Sequence, residues 1–235
     1  MDEKEKVYNN WTPTETVILE RRSVRKYSEK QVPEYLVRRI IEAGRFAPSA
    51  GNSQPWKFLV IRDHDMLQEM EKDVVTRCKI FNAMLNWRKG GITGKLAWLN
   101  AQFMIRFLPN ELHPIPFSAI DLMANKQFML FHGAPTVIYI LMDKRGVGKP
   151  LVDVGICGQN MVLAAHSLGL GTCWVGFVEL LKYGTKWKKK LGVEYPYQIV
   201  ESIALGYPVG KPDGMIERET HQIDWFENGE KRVLY

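Results

Sequence analysis

Cysteine is scarce in this sequence: three residues, Cys78, Cys157 and Cys173, among 235. They form no C-x-x-C pair and keep no regular spacing, so neither a disulfide framework nor a thiolate zinc or iron–sulfur centre finds support. Such usage fits a reducing, cytoplasmic setting. The five histidines, His64, His113, His132, His166 and His221, are scattered without ligand spacing, and no metal site is read from them. No apolar run follows the charged start Met1–Lys6, so a signal peptide is not expected. One long stretch, Val154 to Val178, lacks Asp, Glu, Lys and Arg and has the length to span a bilayer. Its Gly155, Gly158, Gln159, Asn160, His166 and Ser167 instead read as a buried helix followed by a buried strand, with no membrane partner. Internal repeats and low-complexity tracts are also lacking.

What is present suffices for a large core. Hydrophobic residues make up 46% and aromatics 11%, and the length suits a single domain over residues 1–235. The net charge of +6, from 32 Lys and Arg against 26 Asp and Glu, suits an anionic small ligand or cofactor as well as a polyanion. The basic run from Lys182 to Lys190 around Trp187 reads as a solvated helical face, and no nucleic-acid partner is expected.

Local signals order the chain. Thr12-Pro13 reads as an N-cap and first helical residue, opening a helix that ends at the Arg21–Arg25 cluster. A second helix begins near Pro33, with Leu36, Val37, Ile40 and Ile41 on its apolar face, and stops between Gly44 and Pro48. Residues 56–61 predict a mostly buried strand and 64–78 a helix. The glycines near 90–94 predict a turn-rich connection over 82–94. Helices are predicted at 95–107 and 118–131, the latter opened by the box Ser118-x-x-Asp121. This excursion, 79–131, reads equally as a lid over a pocket or as a helical hairpin completing the core. Residues 134–142 predict a central strand. Asp153 is expected to cap a helix running to about Leu168, ended by Gly169 and Gly171. That helix is small or apolar nearly all round, so a second side covered by a subunit interface is expected, against the alternative of a wholly internal helix. A basic helix over 179–190, a strand over 197–206 and an extended arm over 207–235 complete the reading.

Two segments look able to bind. Ala47-Pro48-Ser49-Ala50-Gly51-Asn52-Ser53-Gln54-Pro55-Trp56 combines small polar residues with two prolines, which forbids regular backbone and frees its side chains for a ligand. Arg21-Arg22-Ser23-Val24-Arg25 packs three cations and a hydroxyl into five positions, suiting an anion such as phosphate. Either alone reads as solvated surface.

Taken in order with Asp153-x-Gly155-x-x-x-Gln159-Asn160-Met161-x-Leu163-Ala164-Ala165, Leu168-Gly169-x-Gly171-Thr172-x-Trp174 and Leu205-Gly206-Tyr207-Pro208, these motifs resemble the FMN-dependent nitroreductase family over residues 14 to about 225. The resemblance implies an α+β fold with a central, mainly antiparallel sheet flanked by helices, in an intertwined homodimer with an extended C-terminal arm. It implies bound FMN, with Arg21, Arg22, Ser23 and Arg25 on the phosphate, ribityl chain and ring edge, and Arg218 joining the phosphate. Ser49, Asn52 and Gln54 would approach from the partner subunit, and Pro48 and Ala50 of the same loop would join the cofactor site. Trp174, Val175 and Gly176 would line the isoalloxazine, a backbone N–H there facing N5, and Thr172 would also belong to the cofactor site. The sequence departs from the pattern at Ala50-Gly51, where many members carry a hydroxyl residue, and in lacking a second basic residue beside Arg218.

A flavin carries the redox chemistry itself, so no catalytic triad or acid pair is required. The implied activity is an FMN-dependent oxidoreductase working by a ping-pong mechanism. NAD(P)H donates electrons, and a small aromatic or electron-poor substrate (a nitroaromatic, quinone or activated alkene) receives two of them. Other chemistry on the same fold stays open: reductive dehalogenation, substrate dehydrogenation, flavin fragmentation, or flavin binding without efficient turnover.

Overall fold

The computed structural model describes residues 10–85, 90–107, 120–125, 129–210 and 218–234. Four strands, β1 (Trp56–Ile61), β2 (Thr136–Asp143), β3 (Gly171–Trp174) and β4 (Tyr197–Gly206), form an antiparallel sheet in the order β1-β2-β4-β3. β2 is central and apolar on both faces, as its unbroken run predicts. Val137, Tyr139 and Leu141 enter one core while Ile138 and Ile140 enter the other, which follows from the two-residue period of a strand. β1 is an edge strand with only its end residues buried, less buried than its composition predicts.

Helices cover both faces. The first core takes Leu67, Met70, Val74 and Cys78 from α3 (His64–Leu85), residues at i, i+3 or i+4 spacing that share one side of a helix. The second takes Val37 and Ile40 from α2 (Glu34–Arg45) and Val154, Cys157, Met161 and Ala165 from α5 (Pro150–Ser167). α2 and α5 approach closely because Gly44 has no side chain: a Cβ there would stand 2.6 Å from Met161 Cγ. α1 (Pro13–Glu20) starts as predicted, and a capping box completes it. The Thr12 hydroxyl accepts from the Glu15 N–H at 3.3 Å and the Glu15 carboxylate accepts from the Thr12 N–H at 2.8 Å, satisfying two otherwise open donors.

Several boundaries differ from expectation. α3 continues through Asn82 to Leu85 and α4 starts at Gly91, running to Phe107, so helix occupies much of the predicted connection; local glycine content loses to the length of the apolar face. Residues 120–124 are helical, whereas Ser118 and its capping box lie outside the described residues. The basic segment is two pieces, a 3-10 stretch Gly176–Tyr183 and α6 (Thr185–Lys190), separated at Gly184. α6 is anchored by Trp187, fully buried with its indole N–H donating to Asp73 at 2.7 Å. The C-terminal arm contains a hairpin of β5 (Ile223–Glu227) and β6 (Glu230–Leu234). Its turn residues Asn228 and Gly229 both have positive φ, 52° and 79°. The Asn-Gly pair is the strongest short hairpin signal, and the arm is therefore a paired hairpin at its end where an extended chain was expected.

Candidate functional site

The arginine cluster emerges where α1 stops. Arg21 is the C-cap of that helix, its N–H bonded to Val17 O, and the chain then runs extended beside β3. A parallel bridge joins Ser23 to Thr172, and the Val24 N–H donates to Thr172 O at 2.8 Å. Such close approach requires Gly171, because a Cβ there would press on Val24 at 2.8 Å. Tyr27 fixes the far end, its hydroxyl donating to Val24 O while its ring lies 2.9 Å from a Cβ placed at Gly206. Burial pushes the Tyr27 phenol above its ordinary range, keeping it a neutral donor. The Gly-rich motifs around 171 and 206 therefore act by letting the arginine strand lie against the sheet.

Between these segments lies a cavity of about 170 Å³, lined by Glu20, Arg21, Arg22, His166, Gly169, Thr172 and Pro208 among others. Two arginines lining one cleft suit a phosphate-sized anion. The Arg22 guanidinium also donates to the carbonyls of Leu19 and Arg21, which restrains it. Arg25 is exposed and close enough to act electrostatically on Tyr27 and His132. Arg218 is exposed at the head of the segment leading to β5 and is not among the residues lining this cavity.

The other half, Ser49–Gln54, forms a separate loop. Gly51, Asn52 and Gln54 have φ of 57°, 52° and 45°, and a left-handed non-glycine residue costs on the order of 1 kcal/mol or more. Three supports hold this conformation. The Gln54 N–H donates to Ser49 Oγ at 3.0 Å, the Gln54 side-chain amide donates to Asn52 Oδ1 at 3.1 Å, and the Ala50 N–H donates to Asp153 Oδ2 at 3.3 Å. Asp153 is thus not the helix cap expected: α5 begins at Pro150 with Lys149 as N-cap, and the buried Asp153 carboxylate reaches across to the loop. Acidic residues in a first turn read as caps from sequence; only the fold reveals a backbone N–H 103 positions away as the partner. Pro48 is exposed and Ala50 half-buried, and the Ser53 hydroxyl oxygen is buried without a partner.

At the end of β3 the side chains diverge. Thr172 and Val175 are buried. The Val175 N–H donates to Ser202 O at 2.8 Å and its carbonyl accepts from Ser202 Oγ at 3.1 Å. Trp174 lies half-buried on the α5 side, and a Cβ at Gly158 would collide with its ring. Gly176 is exposed, so Gly176 and not the Val175 side chain is what this corner offers a ligand.

An antiparallel sheet clothed by helices on both faces, with an arginine-lined cleft against its last-ordered strand, defines an α+β protein suited to an anionic ligand. The chain belongs to the nitroreductase family, whose sequence profile matches residues 18–207. Nitroreductase NfnB of Mycolicibacterium smegmatis is 27% identical over 197 residues, which cover 82% of each chain. Among solved structures, a nitroreductase with bound FMN from Desulfitobacterium hafniense DCB-2 matches with a TM-score of 0.65 and 26% identity, over 90% of this chain and 99% of that one. An FMN-dependent nitroreductase from Clostridium difficile R20291 matches with a TM-score of 0.63 and 25% identity, over 89% and 97%. The α+β nitroreductase fold expected from the motifs is the fold observed.

Proposed function

We propose that this protein is an FMN-dependent oxidoreductase that passes two electrons from NAD(P)H to an electron-poor acceptor such as a nitroaromatic, a quinone or an activated alkene. The observation that carries the reading is the cleft lined by Arg21 and Arg22 together with Gly169, Gly171 and Thr172, in a chain of this family whose structural relatives include a nitroreductase with bound FMN and one described as FMN-dependent. Arg21 and Arg22 would hold the phosphate, with Ser23 and Arg25 following along the ribityl chain toward the ring. Bound FMN would supply the hydride and electron chemistry. The chain's own part is binding and orientation: cations at one end, the Gly176 backbone at the other, and the Trp174 ring wedged on α5 between them. The Ser49–Asn52 loop would close the site of a second copy in a homodimer, supported by the apolar residues Leu151, Val152 and Ile156 that α5 leaves exposed.

The test is a fluorescence titration of flavin-stripped protein with FMN. Saturable binding near one FMN per chain is expected, and Arg22→Ala should weaken it about tenfold or more, the loss of one partly shielded charge-assisted bond. No FMN binding by the wild type would overturn the reading.

A further inference from the structure

Glu201 is an acid in an apolar place. It lies on β4 opposite Ile140, and the register skips one residue, Val200, between this pair and Leu141–Ile199. That bulge resets the alternation: Ile199 turns into the first core, while Glu201 shares the face of Ile140 and Ile203. Its Oε2 is buried with no hydrogen-bond partner. β3 pairs Trp174 with Ile203, so two residues further along Gly176 stands opposite Glu201. A Cβ at Gly176 would lie 3.3 Å from Glu201 Oε1 and 3.4 Å from Oε2. The carboxyl therefore sits directly under the backbone that would face the flavin ring.

We propose that Glu201 is a positioning residue that takes up a proton when the flavin above Gly176 is reduced, offsetting the charge the ring gains. This rests on the FMN reading above. The balance is simple: two electrons and one hydrogen nucleus arrive together as hydride from NAD(P)H, and one further proton passes from solvent to the Glu201 carboxylate.

The surroundings favour such a role. Burial first and the neighbouring Glu179 second push the Glu201 carboxyl up to about 7, against a smaller lowering by the Ser202 N–H. The titratable groups on the elements packed against this face lie in other surroundings. On α5, Asp153 accepts from Ala50, His166 lines the arginine cavity, and burial holds Cys157 as a thiol by raising it to about 12. On β1, Lys57 stands over the Tyr197 ring of β4, and Asp143 at the end of β2 is paired with Arg145.

The experiment compares wild type, Glu201→Gln and Glu201→Asp. In the FMN-loaded proteins, the midpoint potential of wild type should fall more steeply with pH above about 7, by one extra proton per two electrons. Glu201→Gln should lose that extra slope and Glu201→Asp retain it. In the apoproteins, a carboxyl raised in the folded state loses stability as pH rises from its unfolded value through about 7, so the wild-type melting temperature should fall over that window and that of Glu201→Gln should not. Identical potential profiles in wild type and Glu201→Gln, with FMN bound to both, would overturn the proposal alone. So would parallel apoprotein melting profiles, or loss of the slope in Glu201→Asp as well. Failure of the wild type to bind FMN would overturn the underlying reading with it.

Discussion

Asp153 shows how one side chain can matter at a distance from any ligand. Its carboxylate, buried at the start of α5, is the tie between that helix and the Ala50 N–H, in a loop whose three left-handed residues need external support. Asp153→Ala should therefore loosen the loop and leave a half-buried N–H unsatisfied, costing about 1 kcal/mol of stability and weakening FMN binding. Asp153→Asn, which keeps an acceptor oxygen, should recover most of both. Thermal melts and flavin titrations read the two effects, and equal losses in both variants would contradict a hydrogen-bonding role. The sequence pattern located the binding loop and the arginines because unusual residue types cluster there within a few positions. It could not disclose the Asp153–Ala50 tie or the Glu201–Gly176 contact, since each joins segments that only the fold brings together.

Among the elements, α5 and β3 are interlocked through a missing side chain. Gly158 leaves the space into which the Trp174 ring is pressed, with Ile140 Cδ1 at 3.0 Å from the would-be Cβ. Gly158→Ala should cost about 1–3 kcal/mol by overpacking, more than its gain in helix propensity returns, and should shift the tryptophan fluorescence as the ring is displaced. An unchanged spectrum and melting point would mean that the ring accommodates the methyl freely. Helices and strands with long apolar faces, such as α2, β2 and β4, were legible from periodicity alone. The split at Gly184 and the β5–β6 hairpin were not: the first depends on Trp187 docking against α3, and the second was overridden by prolines that suggested extended chain, although Asn228-Gly229 signalled the turn.

At the scale of the whole molecule, apolar surface is left over. The stripe Ile92, Leu96, Leu99 and Phe103 on α4 is exposed, as are Trp225 and Phe226 on the hairpin, the latter at 72%. A two-stranded hairpin is marginal by itself in water, and side chains of this size each gain about 1.5–3 kcal/mol on full burial. A second copy of the chain would supply the cover, as proposed for the loop at Ser49. Sedimentation at micromolar concentration should show a dimer, and a monomer that still binds FMN tightly would contradict a shared site.

A flavin held over Gly176 would relay electrons from a nicotinamide to an acceptor, and an anaerobic visible spectrum of the FMN-loaded protein tests this. Adding NADH or NADPH should bleach the yellow chromophore, and a nitroaromatic added afterwards should restore it. Absorbance that persists with both nucleotides would contradict the account.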